Sequence, residues 1–266
     1  MIIKTLVENT AVSTGYRKRN GLSFYIETKQ HKILFDLGPD DSFLHNAKKM
    51  QIDITDIDTV IISHGHSDHG GALKIFLEHN NKAKVYIHKN AFETHYIKLL
   101  FLKKNVGLEK SLENNSRIMF VDGQQKIDEE LFIFSKIEGR KLLPQSNRTL
   151  CTKRNNEIMQ DDFSHEQNLL IIQDGVTTLF AGCSHNGIVN IIEEAFNYAN
   201  SLDFIIASFH TFLESKELIM QVAQELKKFE TKYLTCHCTG QKAFSILKEI
   251  LGDKVSYLST GTSITI

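Results

Sequence analysis

The sequence runs to 266 residues, enough for one large domain or two small ones, and it is 41% hydrophobic and 24% charged. That balance excludes a disordered or membrane-embedded chain. A formal net charge of -1 excludes the global field that would draw the protein to nucleic acid or an anionic membrane.

Taken in chain order, Met1-Ile2-Ile3-Lys4-Thr5-Leu6-Val7 lacks the apolar core and cleavage site of a signal peptide and reads as a first strand. The basic stretch Tyr16-Arg17-Lys18-Arg19 is short and reads as a solvated turn. Strand-like runs follow at Leu22–Thr28, Lys32–Asp36, Thr59–Ser63, Lys84–His88, Arg117–Val121, Leu131–Phe134, Asn168–Gln173, Thr177–Ala181, Phe204–Ser208 and Lys232–Thr235. Helical spacing is read at Asp41–Met50, Gly71–His79, Ala91–Lys104, Ile188–Asn200, Leu213–Glu230 and Gln241–Leu251. Two β-rich halves covered by helices account for this order, an α/β chain forming a single domain over 1–266. The segment at about 91–157 is read as an inserted cap, helical first, and the polar stretch from Gln145 to Asp162 as a mobile loop over a pocket. No apolar stretch approaches transmembrane length. Cys151, Cys183, Cys236 and Cys238 do not form a disulfide framework, so the expected setting is reducing and cytoplasmic.

The chemistry concentrates in His64-Gly65-His66-Ser67-Asp68-His69, directly after the apolar run Val60-Ile61-Ile62. Three imidazoles and a carboxylate within six positions are costly to bury and suit divalent transition metals. On an extended backbone His64 and His66 point to the same side. As the chain turns, Asp68 and His69 can face a second ion about 3.5 Å from the first. Three further histidines each close an apolar strand: His185 in Gly182-Cys183-Ser184-His185, His210 after Phe204–Phe209, and His237 in Cys236-His237-Cys238. Any one alone reads as an ordinary surface or core histidine, but beside the first cluster His185 and His237 become candidate ligands. His210 is a candidate to touch substrate or to protonate a leaving group. His165 is a ligand or substrate-contact candidate, and Asp36 is placed to orient a metal-binding histidine. The triplet at 236–238 is not read as a closed structural zinc site. On an extended segment His237 would face the metals and its flanking cysteines would face away. Cys183 is a candidate thiolate ligand of the second metal if His185 points elsewhere.

The first cluster and the later strand-end histidines resemble the metallo-β-lactamase superfamily, whose signature is His-x-His-x-Asp-His after a strand. Phe35-Asp36-Leu37-Gly38 resembles the family's early Asp-x-Gly element. Gly182-Cys183-Ser184-His185, Gly187-Ile188-Val189-Asn190, Asp162–Gln167 and Cys236-His237-Cys238-Thr239-Gly240 are closer to its dihydropteroate-synthase-like subfamily, which includes an archaeal enzyme of methanopterin biosynthesis. The resemblance implies a four-layer αβ/βα sandwich with a helical or loop insertion and a site at one edge. Many members carry Gly-Asp where this chain has Gly182-Cys183, and that Asp bridges the two metals. Here the resemblance places His185 as the nearby ligand instead.

A dinuclear metallo-hydrolase is the leading expectation, with zinc as the metal and manganese, iron or magnesium as alternatives. His64, His66 and His185 would hold one ion, and Asp68, His69 and His237 the other. A water activated by the ions as hydroxide, and directed by Asp68, would attack a phosphoester or phosphoanhydride small molecule. The closer resemblance implies a second reading, transfer from a pterin-like diphosphate to an aromatic amine. A third is a ligand sensor that keeps its metals but turns little over, and a di-iron oxygen-reducing centre is a weaker fourth. The expected partner is a phosphate-bearing small molecule, with no nucleic acid and no membrane.

Overall fold

The structure is a computed structural model that describes residues 1–99 and 102–266. The chain divides into two compact units. The first comprises Met1–Asp122, Thr149–Gln167 and Ser259–Ile266, and the second Gly123–Arg148 and Asn168–Leu258.

The first unit is built on a seven-stranded sheet in the order Ser263–Thr265, Ile2–Val7, Ser23–Glu27, Lys32–Phe35, Thr59–Ile62, Lys84–His88, Ile118–Val121. The first three pairings are antiparallel and the last three parallel. Parallel neighbours need a crossover, and helices Ser42–Lys49 and Leu73–His79 supply two of them. Their apolar faces, Phe43 and Ala47 on one and Leu73 and Phe76 on the other, pack with Leu34, Val60, Ile62, Val85 and Ile87 of the sheet. Each of the Phe, Leu, Val and Ile side chains among them contributes roughly 1.5–3 kcal/mol by leaving water. The central strand Thr59–Ile62 is buried at every position, which is why it reads as a continuous apolar run and not as an alternating one.

The second unit has the same grammar. Its sheet runs Val255–Tyr257, Lys232–Thr235, Phe204–Ala207, Val176–Ala181, Asn168–Gln173, Leu131–Phe134, Gln124–Lys126, and the first four strands are mutually parallel. Helices Ile188–Ala195, Lys216–Leu226 and Gln241–Leu251 share one core with this sheet through Ile191, Ile192, Ile219, Val222, Ala223, Ile246 and Leu247. Ser215 caps the middle helix, its hydroxyl accepting the Leu218 N–H.

The α/β class expected from the sequence is observed, and two local expectations are corrected. The described residues between 91 and 104 do not form a helix. Thr94–Leu99 and Leu102–Asn105 are strands, and Thr94–Leu99 pairs antiparallel with Leu150–Arg154 in a small four-stranded sheet of the first unit. The part of that expectation falling on residues 100 and 101 lies outside the described residues. The run is rich in Thr, Tyr, Ile and Leu, so strand propensity and a distant partner override an apolar count that also suits a helix. The polar stretch read as a loop instead contains regular elements, a 3₁₀ turn at Gln145–Thr149 and a hairpin of Leu150–Arg154 with Glu157–Gln160. Asn155 and Asn156 form its two-residue turn at φ 50° and 67°, the mirror-image turn that asparagine tolerates and that matches strand twist. No described helix is long and apolar enough to cross a membrane.

Candidate metal centre

In parallel sheets, functional groups gather where strands end. In the first unit Asp36 follows Lys32–Phe35 and the His64–His69 cluster follows the adjacent strand Thr59–Ile62. Asp36 is fully buried and adopts φ 60°, a left-handed conformation that costs an ordinary residue about 1–2 kcal/mol. Its carboxylate accepts the Ser63 N–H at 2.7 Å and the Ser63 O–H at 2.8 Å. It also accepts the Nδ1–H of His69 at 2.6 Å. Having given its hydrogen to Asp36, the Ser63 hydroxyl accepts from His64 Nδ1 at 2.9 Å. One carboxylate and one hydroxyl therefore fix both imidazoles in the tautomer whose Nε2 carries the lone pair, an arrangement that prepares histidines for metal. Ligand atoms of His64, Asp68 and His69 lie within 4.8 Å of one another, with Asp68 Oδ2 at 4.0 Å from His69 Nε2. This donor set fits a divalent ion.

His66 sits with its ring 4.6 Å from that of His64, but its ligand nitrogen groups with His95, Asp161 and His165, all four buried. The candidate His165 accepts the Gly65 N–H on Nδ1 at 2.9 Å. Its Nε2–H faces Asp161 Oδ2 at 3.3 Å, and His95 Nδ1 donates to the same oxygen at 2.9 Å. His165 thereby holds the peptide between His64 and His66. Burial, followed by the neighbouring His165, drives His66 well below the usual histidine range. Burial would raise Asp161, but hydrogen bonds from His165 and His95 outweigh it and hold the carboxyl below its usual range. The sequence reading missed His95 and Asp161. The signals were strand-like composition at 94–99 and the Asn-Asn turn that brings Asp161 back beside it.

In the second unit Cys183, His210 and Cys238 follow three adjacent parallel strands, Val176–Ala181, Phe204–Ala207 and Lys232–Thr235. Ligand atoms of these three lie within 4.8 Å of one another. The expectation that Cys238 turns away from the site chemistry is corrected. His237–Thr239 is a 3₁₀ turn with His237 at φ 44°, so the alternation of an extended segment does not apply. Burial alone would raise the Cys238 thiol, but Cys183, His210 and His237 together hold it well below its usual range. The rings of His185 and His210 are 4.3 Å apart. Asn147 donates its amide N–H to the His185 carbonyl and accepts His185 Nδ1–H on Oδ1, at 2.8 and 2.9 Å. Its neighbour Ser146 donates its hydroxyl to Glu214 and contacts His210 Nδ1, at 2.8 and 2.9 Å. His237 is buried beside Cys238.

Residues 16–144 match the family described as the metallo-beta-lactamase superfamily. The chain is 28% identical to the 7,8-dihydropterin-6-methyl-4-(beta-D-ribofuranosyl)-aminobenzene-5'-phosphate synthase of Methanocaldococcus jannaschii, over 97% of this chain and 94% of that protein. An uncharacterised protein of the same organism is 26% identical over 94% of each chain. Among solved structures, one described as a metal-dependent hydrolase of the beta-lactamase superfamily superposes with a TM-score of 0.87 at 27% identity, covering 100% of this chain and 99% of its own. Zinc-bound PqqB from Methylobacterium extorquens shares the fold at a TM-score of 0.62 and 10% identity, with both chains fully covered.

Proposed function

Since this chain belongs to the metallo-beta-lactamase superfamily, we propose that it is a metal-dependent hydrolase acting on a phosphoester or phosphoanhydride of a small molecule. The observation that carries the proposal is the Asp36–Ser63 pair, which aims the Nε2 lone pairs of His64 and His69 beside the Asp68 carboxylate. For the ligand set the support is the sequence signature: His64, His66, Asp68 and His69, with His185 and His237 from later strand ends. When bound, divalent ions supply a water nucleophile at neutral pH and neutralise phosphoryl charge. Asp68 Oδ2, on a side chain 30% exposed, accepts a hydrogen bond from the attacking water and fixes its direction. His165 keeps the Gly65 peptide, and with it the two flanking imidazoles, in register.

A second reading has a specific observation behind it, the full-length similarity to a protein named as a synthase of a pterin-aminobenzene phosphate. In that reading the same residues bind a pterin diphosphate, and an aromatic amine displaces diphosphate. Incubating the metal-loaded protein with a dihydropterin-methyl diphosphate, with and without an aminobenzene acceptor, separates the two. Product formation without acceptor supports hydrolysis, and acceptor-dependent diphosphate release supports transfer. Turnover by a metal-free Asp68→Ala variant equal to that of wild type would overturn both.

A further inference from the structure

We propose that Phe212, with Leu213 beside it, determines specificity: it is the seat for an aromatic ring carried by the phosphate-bearing small molecule. The inference rests on the reading above that such a molecule binds at the strand-end histidines. The chain is buried as far as Thr211, at 3% exposure, and then presents Phe212 at 49% and Leu213 at 69%. Two large apolar side chains in succession therefore face water directly after His210. Surface left in water forgoes the gain that folds the rest of the unit. Single exposed apolar residues are common, but this pair is set apart by where it stands and by how firmly it is held.

The rings of His185 and His210 are 4.3 Å apart, and those of His210 and Phe212 are 6.0 Å apart at 70°. Three rings thus run in a row, from a candidate ligand outward to the half-exposed phenyl. A molecule whose phosphoryl group is held beside His185, and whose organic part follows the row, meets Phe212 next. Aromatic pairs gain from edge-to-face and offset contacts beyond the area they bury, so the row favours a flat ring over an aliphatic group of the same size. The segment is also fixed in place. The Phe212 N–H donates to the Cys238 carbonyl at 3.0 Å, and the Thr211 hydroxyl donates to the Thr239 carbonyl at 3.2 Å. Beyond the pair, the Glu214 N–H donates to the Thr211 carbonyl at 3.1 Å, and the Glu214 carboxylate accepts the N–H and the O–H of Ser146 at 2.9 and 2.8 Å. Gly240 lets Phe212 sit this close, since a Cβ there would stand 2.8 Å from the Phe212 Cβ. A surface already ordered loses little freedom when it binds.

Calorimetric titration of the zinc-loaded full chain with phenylphosphonate, cyclohexylphosphonate and methylphosphonate tests this, because their carbon–phosphorus bond is not an ester and binding is read without turnover. The readout is the ratio of phenyl to cyclohexyl affinity. When a variant is compared with wild type, ligand ionisation and any disturbance of the metals cancel in that ratio. Phe212→Leu keeps apolar bulk and should lower the ratio about 2–10-fold, whereas Phe212→Tyr keeps the ring and should keep the ratio. Wild type should bind phenylphosphonate more tightly than methylphosphonate, a comparison that stands even if Phe212→Leu does not fold. An unchanged ratio in Phe212→Leu, an equal fall in Phe212→Tyr, or phenylphosphonate binding no tighter than methylphosphonate overturns the inference and leaves the phosphate-ester reading standing. Wild-type protein that binds none of the three overturns both.

Discussion

Replacing Asp36 by Asn isolates the carboxylate that sets two histidine tautomers, because the side chain keeps its shape and loses only a charge and one acceptor. If the amide nitrogen took the Oδ1 position, it would face the Ser63 N–H, which now lies 2.7 Å from an acceptor. Two buried donors would then oppose each other at a cost of roughly 1–3 kcal/mol. In the flipped orientation the nitrogen faces the Ser63 hydroxyl and His69 Nδ1, now at 2.8 and 2.6 Å from the carboxylate. Both can accept, but His69 must move its proton to Nε2, the nitrogen offered to metal. The flipped form is cheaper for the fold and worse for binding. Asp36→Asn should therefore cost the metal-free protein no more than about 1–3 kcal/mol. Its metal affinity should fall about 10–100-fold, the usual effect of losing a carboxylate behind a ligand histidine, equivalent to about 1.4–2.8 kcal/mol. Chelator-competition titration gives the affinity and urea unfolding of the metal-free protein gives the stability. Wild-type affinity in a folded Asp36→Asn protein would refute the tautomer argument.

Four other substitutions probe the same framework. A Cβ at Gly65 would stand 2.5 Å from the Ala91 carbonyl oxygen and 2.7 Å from His95 Nε2, so Gly65→Ala should destabilise by about 1–3 kcal/mol and weaken metal binding; unchanged melting and affinity would contradict it. Burial pushes His88 down to about 4 from the usual histidine value of about 6.5, so the folded state resists protonation. The stability it contributes is present above about pH 6.5 and lost as pH falls through about 4, up to about 3 kcal/mol in all; urea unfolding of metal-free protein across that range should show the slope, and His88→Gln should flatten it. In the 150–160 hairpin, Asn155→Ala should cost about 1 kcal/mol and Asn156→Gly close to nothing, measured by thermal unfolding.

The strands were legible because burial leaves its mark locally. Val60-Ile61-Ile62 and Phe204-Ile205-Ile206 are apolar throughout since both faces are covered, and the chemistry-bearing residues follow immediately. His64, His66, Asp68 and His69 were legible for the same reason. His95 and Asp161 were not, because their meeting depends on Thr94–Leu99 pairing with Leu150–Arg154, more than fifty residues away, and the local apolar pattern also suited a helix. Cys238 was misplaced through the assumption of extended backbone, which the turn at His237–Thr239 breaks. Ser146, Asn147 and Glu214 are ordinary polar letters in sequence. Their roles arise only from the hydrogen bonds they make to His210 and His185.

That Ser146 and Asn147 are adjacent has a consequence for control. Each contacts one imidazole, His210 or His185, and the two share one peptide plane. A tilt of that plane would disturb both ring contacts together.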